Sequence, residues 1–278
     1  MWKKSKNMQC TGQGHKVTSG TKEWADYNYN CIMGCLNDCR YCYAKMMARR
    51  FGRSTASSWK EMKIRKEVLN KRMHKLPGRI MFPSTHDIIA ESPFKEACFT
   101  ALENLLYSGN TVLITSKPRL EVIKEIDSKF SEFQNQIQFR FTITSSSDKL
   151  LLFWEPNAPL FKERFSSLQF AYSKGFKTSV SIEPFLDYDP IPLIKLVTPF
   201  TTESIWLGRM NYIACQNLSD EEVVFYKLVR KNYESQHLIE LWNALKCYPK
   251  IRFKDSIRNQ ISQKSGEGTE SIIQWQTK

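Results

Sequence analysis

The chain has 278 residues, 41% hydrophobic and 13% aromatic, enough apolar material for a large core and too much for a disordered chain. No run of eighteen apolar residues is present, which argues against a membrane-spanning helix, and the basic start MWKKSKNMQC lacks the apolar stretch of a secretory signal. Lys and Arg number 41 against 28 Asp and Glu, a formal net charge of +13. The eight cysteines are too few and too clustered for a disulfide framework, so the chain reads as a cytoplasmic protein whose cysteines bind metal.

Taken in chain order, short β-rich runs alternate with helical patterns. Strands are expected over 26–30, 79–82, 111–115, 137–143, 177–182 and 204–207. Helices are expected between them over 43–50, 59–75, 93–107, 119–130, 159–173 and 190–197. Ser92-Pro93 reads as a cap followed by a first-turn proline. Ser108–Asn110 and Lys174-Gly175 read as helix exits into strands. Repeated βα units predict a parallel sheet with helical crossovers, and six units suit an open or partial barrel. Past Gly208 the pattern turns mainly helical: helices over 220–232 and 235–246, a short strand KIRF at 250–253, and a last helix from Ser256. Ile272, Ile273 and Trp275 in the tail are candidates to dock. The organisation expected is an N-terminal segment 1–24, a partial (β/α)6 barrel 25–210 and a helical extension 211–278.

In parallel α/β barrels chemistry gathers where strands end. Each expected strand here ends in a polar or small motif: the cysteine loop, PSTHD, TSKP, TSSSD, Glu183-Pro184, and GRMN at 208–211. Six such ends on one rim outline a basin.

The loop CIMGCLNDCRYCYA spaces its cysteines as Cys31-x3-Cys35-x3-Cys39-x2-Cys42. Three thiolates at Cys35, Cys39 and Cys42 can face one iron–sulfur cube and leave its fourth iron open, since full ligation takes four cysteines. Structural zinc is the alternative. It prefers four ligands, often as two C-x2-C pairs; one such pair is present, and Cys31 could serve as a fourth ligand.

The x3/x2 spacing resembles that of the radical S-adenosylmethionine (SAM) enzymes. GCLNDCRYCYA is similar to the cysteine loop of their spore photoproduct lyase-like branch. So is the stretch from FRFTITSSSD to SIEP, through Glu155, Pro156, Ala158, Pro159, Arg164 and Gly175, and ITSKP resembles that branch's strand end. The resemblance spans roughly residues 29–184 and implies a partial radical SAM barrel. It implies that Cys35, Cys39 and Cys42 ligate a 4Fe–4S cluster whose open iron binds SAM. Reductive cleavage of SAM would then give a 5′-deoxyadenosyl radical that takes a hydrogen atom from the substrate. By the same resemblance Lys117 binds the SAM carboxylate, Tyr41 lies by the adenine, and Ser84, Thr142 and Thr144 bond the SAM amine or ribose. Glu155 and Glu183 join them as cofactor-binding candidates. A one-electron reductant such as flavodoxin or ferredoxin is implied as a partner.

Spore photoproduct lyase itself carries a cysteine at the end of its second strand, and the matching RIMFPSTHD has none. Cys98, Cys215 and Tyr212 are the residues that could stand in for it, Cys215 and Tyr212 ahead of Cys98, which falls inside an expected helix. His86, beside Asp87 on the rim, is a candidate for catalysis or substrate binding, with loop capping as the alternative. Cys31 is expected to be a buried thiol beside the cluster.

Residues 45–79 hold twelve basic and two acidic side chains, and a second basic run covers 227–264. Such a face suits DNA or RNA, while a merely solvated face is the plainer alternative. Three functions stand: a radical SAM enzyme acting on nucleic acid or a nucleotide, one acting on a peptide or small metabolite, and a non-enzymatic metal-bearing nucleic-acid-binding module.

Overall fold

The computed structural model describes residues 19–55 and 57–265. Most of segment 1–24, and Ile272, Ile273 and Trp275, therefore lie outside the described residues. A 3-10 turn at Gly20–Glu23 leads into β1 (Tyr27–Asn28), and β2 (Ile32–Met33) and α1 (Tyr43–Arg50) follow. The single helix expected over 59–75 is replaced by a 3-10 turn at Ser58–Lys60, β3 (Lys63–Ile64) and α2 (Lys66–Leu69). Met62 and Ile64 turn partly inward while Lys63 and Arg65 face solvent, the period of two of a strand. β3 pairs antiparallel with β2, Ile32 against Ile64 and Met33 against Lys63.

From there the chain repeats strand and helix: β4 (Arg79–Phe82), α3 (Phe94–Tyr107), β5 (Thr111–Ser116), α4 (Leu120–Phe130), β6 (Ile137–Thr142). Next come α5 (Asp148–Trp154), absent from the expected elements, then α6 (Phe161–Ser173), β7 (Lys177–Ile182), α7 (Ile191–Val197) and β8 (Ile205–Leu207). α8 (Asp220–Asn232), α9 (Ser235–Leu245), β9 (Ile251–Phe253) and α10 (Asp255–Ser265) complete it. Gly109 and Gly175 leave α3 and α6 with φ of 76° and 81°, the left-handed exit that glycine takes without strain.

β1 and β4 to β9 form one parallel sheet in that order, curled into a half-barrel with helices around it. The KIRF strand is thus a seventh barrel strand, where six units were expected: β9 pairs with β8 through Ile205 and Ile251, and Leu207 and Phe253.

Alternation along the strands sorts two layers. Phe139, Phe141, Val180, Ile182, Ile205 and Leu207 belong to the apolar core. Their neighbours form a polar interior: Arg79 donates to Gln138 at 2.8 Å, and Arg140 to Ser179 at 2.9 Å. The Arg140 guanidinium lies between Trp24 and Trp206, 4.7 and 5.4 Å from their ring centres.

The two edge strands, β1 and β9, do not pair. Side chains join them instead. Glu23, ahead of β1, pairs with Lys254 at 2.5 Å and Arg258 at 2.6 Å, both just after β9. Lys254 also donates to the Gly20 carbonyl at 2.7 Å, and the Gly20 N–H donates to Asp255 at 2.9 Å. α8 packs behind the cysteine loop, Phe225 stacked on Phe153 of α5 at 3.8 Å and Glu222 paired with Arg40 at 2.6 Å. No helix among the described residues is long and apolar enough to cross a membrane.

Candidate active site

A cavity of about 1380 Å³ lies where the parallel strands end. Ser84, Lys117, Thr142, Glu183, Arg209 and Lys254, from six successive strands, line it together with Cys35, Cys39 and Cys42.

Local geometry gives the cysteine loop its shape. Gly34 has φ of 92°, and a Cβ there would fall 2.6 Å from the Trp59 carbonyl oxygen, so only glycine fits. The Cys35 N–H donates to that same carbonyl at 3.1 Å, and the Arg40 N–H to the Trp154 carbonyl at 2.9 Å. Asp38 turns left-handed, φ 46°, and pairs with Lys45 at 2.6 Å. Cys42 caps α1, its Sγ accepting from the Lys45 N–H at 3.5 Å.

Asp87, after β4, anchors the loop directly. It accepts from the Asn37 amide at 2.7 Å, Ser116 Oγ at 2.5 Å, the Lys117 N–H at 3.0 Å and the Ile88 N–H at 2.8 Å. Arg119 holds the other end of the Asn37 amide at 2.8 Å. His86 also lines the cavity, its Nδ1 3.1 Å from the Asp87 carbonyl oxygen.

Burial pushes the Cys35 thiol up to about 12, the Cys39 thiol well above its ordinary value, and the Cys42 thiol up. Among the described residues no three His, Cys, Asp or Glu side chains converge on a single metal position. The donor set, three cavity-lining sulfurs from one short loop, buried at Cys35 and Cys39 and half-buried at Cys42, fits a cluster that gives each thiolate its own iron. Binding as thiolates then requires the positive charge of that group. Cys31 is fully buried and does not line the cavity; its sulfur lies 3.8 Å from the Ala97 carbonyl and 4.0 Å from His86 Nε2.

Lys117 brings an ammonium to the cavity, 5.6 Å from the centre of the Tyr41 ring, with no ion-pair partner among the described residues. Burial lowers its pKa, but the Cys39 and Glu155 charges outweigh that and leave it raised. Ser84 lines the cavity with its hydroxyl held by Asn30 at 2.8 Å, and Thr142 lines it at the end of β6. Ser181 Oγ, also in the lining, is buried without a hydrogen-bond partner.

Thr144 and Glu155 sit behind the cavity wall rather than in it. Glu155 is fully buried, ion-paired with Arg164, and accepts from the Tyr41 hydroxyl and from Thr144 Oγ1 at 2.7 Å. Burial alone would raise its pKa; Arg164, Lys117, Tyr41 and Thr144 hold it below the usual carboxylate range. Arg164 in turn donates to the Pro159 carbonyl at 2.6 Å. The Glu155-Pro156…Arg164 turn is therefore a brace that orients Tyr41 within the cysteine loop.

Glu183 lines the cavity beside Lys254. Burial raises its pKa to about 7, which Lys254 partly counters. Tyr212 and Cys215 are exposed and are not brought to the cavity; the Cys215 sulfur lies 3.4 Å from the Ile213 carbonyl. Cys98 is buried in α3. Arg209, Lys254, Asn259 and Gln260 line the far end of the cavity and were not among the expected site residues. Lys254 directly follows KIRF, so only that strand's membership of the sheet marks it as a rim position.

No protein-family model matches the chain. An uncharacterized protein of Methanocaldococcus jannaschii is 27% identical over 245 residues, covering 86% of this chain and 87% of that one. A spore photoproduct lyase variant with dinucleoside spore photoproduct matches with a TM-score of 0.52 at 14% identity, over 89% of this chain and 76% of that one. A second variant of that lyase gives 0.51 at 14% identity, over 93% and 77%. One with bound AdoMet and dinucleoside spore photoproduct gives 0.50 at 15% identity, over 89% and 76%. The chain thus has the fold of spore photoproduct lyase, the partial barrel with helical extension that its cysteine loop and Glu-Pro turn imply.

Proposed function

We propose that the chain is a radical SAM enzyme, with a 4Fe–4S cluster on Cys35, Cys39 and Cys42, SAM beside it, and a nucleic acid or nucleotide as substrate. The observation that carries this reading is one cavity lined by three thiols of a single loop and by the Lys117 ammonium, which has no ion-pair partner among the described residues. When bound, cluster and SAM would supply one-electron cleavage of the sulfonium and a radical able to take a hydrogen atom. Lys117 would bind the SAM carboxylate, and Ser84 and Thr142 would offer hydroxyls to its amine or ribose. Tyr41, fixed by Glu155, would pack near the adenine. His86, on the lining, is the candidate to touch substrate. A one-electron donor such as flavodoxin or ferredoxin would complete the turnover.

Support for a polyanionic substrate comes from the segment 45–79 that follows the cysteine loop. Arg49, Arg50, Lys60, Lys63, Lys66 and Arg72 are exposed there, and none has an ion-pair partner among the described residues.

The test is anaerobic reconstitution with iron and sulfide, followed by dithionite and SAM, with 5′-deoxyadenosine measured by chromatography. Expected are a brown, oxygen-sensitive protein and SAM cleavage, both lost on Cys35→Ala, Cys39→Ala or Cys42→Ala and largely kept on Cys31→Ala. One tightly held zinc, released on Cys31→Ala, with no SAM cleavage would replace this reading with the metal-bearing binding module.

A further inference from the structure

A second cavity, of about 340 Å³, opens between α1 and the β2–β3 pair. Asn30, Tyr43, Trp59 and Thr85 line both this cavity and the main one, so the two adjoin. Its floor is apolar, built from Met33, Met47, Ala48 and Trp59. Among the described residues its only charged lining groups are Arg53 and Arg65. Arg65 is steadied by Glu67 at 3.1 Å and by the Asn30 carbonyl at 3.3 Å. Arg53 has no ion-pair partner among the described residues.

Trp59 supplies an independent sign of a ligand. It is 2% exposed, and its indole Nε1–H has no hydrogen-bond partner. A buried donor left unpaired costs about 1–3 kcal/mol, so such a group calls for an acceptor that the protein does not provide. Two guanidinium groups around an apolar floor, with that indole in the wall, are the complement of an anionic, oxygen-rich group on an apolar body. The volume falls at the lower end of small-molecule pockets, which run from about 300 to 1,000 Å³, and suits a single nucleotide.

We propose that this second cavity binds an organic phosphate, its oxygens on Arg53, Arg65 and Trp59 Nε1–H and its flat body on the apolar floor. The meaning of the site rests on the function proposed above, where the phosphate would belong to substrate lying next to the main cavity. Binding itself requires neither cluster nor SAM.

The test is calorimetric titration of the full chain with uridine 5′-monophosphate, uridine and inorganic phosphate. The monophosphate is expected to bind at least tenfold more tightly than either of the others. Arg53→Gln with Arg65→Gln should weaken it at least tenfold, and Trp59→Phe several-fold, with unchanged melting curves showing that the variants fold. Lys117→Met, in the main cavity, should leave it unaltered. Equal affinity for uridine or for inorganic phosphate would overturn the proposal. So would monophosphate binding that survives the double arginine variant or disappears with Lys117→Met. SAM cleavage by the reconstituted parent is scored separately: if it fails while monophosphate binding follows the expected pattern, the proposed function falls and this site stands.

Discussion

Asp87 accepts a hydrogen bond from the Asn37 side chain at 2.7 Å and, with the same oxygen, one from the Lys117 N–H at 3.0 Å. One buried carboxylate thus fixes the cysteine loop against the end of β5, where the ammonium proposed to meet SAM begins. Asp87→Ala leaves three buried donors unpaired and is expected to cost about 2–4 kcal/mol. It should also lower the iron bound per chain after reconstitution, with Asp87→Asn falling between. Urea unfolding and iron analysis measure both. Full iron content in the alanine variant would remove the anchoring role.

Lys117→Met keeps the length of the side chain and deletes its charge. Loss of a charge-assisted bond to the SAM carboxylate is expected to cost about 1.5–3 kcal/mol, one to two orders of magnitude in affinity, with the cluster spectrum retained. Equilibrium dialysis with SAM reads the effect. An unchanged dissociation constant would place the carboxylate elsewhere.

Glu183 gives a pH signature. Burial raises its pKa from 4.5 to about 7. The folded state therefore holds the proton more tightly than the unfolded state. The associated stability is fully present below about pH 4.5 and is lost as pH rises through 7. Glu183→Gln should be more stable than the parent at pH 8, with the gap closing as pH falls to 4.5. Melting temperatures across that range check it, and a gap independent of pH would mean the carboxyl ionises as an exposed one does.

The basic surface predicts a salt dependence. Each phosphate contact contributes a slope of about −0.9 for duplex or −0.7 for single strands in a plot of log affinity against log salt. With roughly four to six contacts the slope is about −3 to −5. Changing Lys60, Lys63, Arg65 and Lys66 to Gln should flatten it and leave SAM cleavage without substrate intact. Fluorescence anisotropy with labelled DNA and RNA makes the measurement. No binding at low salt would turn the substrate towards a peptide or small metabolite.

The sequence reveals what is local. Strand ends, helix exits and the cysteine loop each announce themselves within a few residues, and so does the Glu155–Arg164 turn. What depends on distant partners does not. KIRF reads as a strand, yet nothing within it says that it pairs with β8. Lys63–Ile64 belongs to a strand only because Ile32–Met33 lies beside it, and lysine-rich surroundings imitate a helix. Thr144 and Glu155 are near the site in sequence pattern but serve it from behind, because a buried Arg164 claims the carboxylate. Cys215 follows a rim strand, yet the chain carries it outward past Tyr212 to solvent.

The seam between β1 and β9 has a consequence for synthesis. Glu23 is among the first described residues to be made, and Lys254 and Arg258 are among the last. On the ribosome, Cys35, Cys39 and Cys42 and the first six strands of the sheet all emerge before those two cations exist. Until then Glu23 has no partner there, and the half-barrel stands open along one side. Any group loaded into the basin during translation meets an unlatched vessel, and the arrival of the chain's last described helix shuts it.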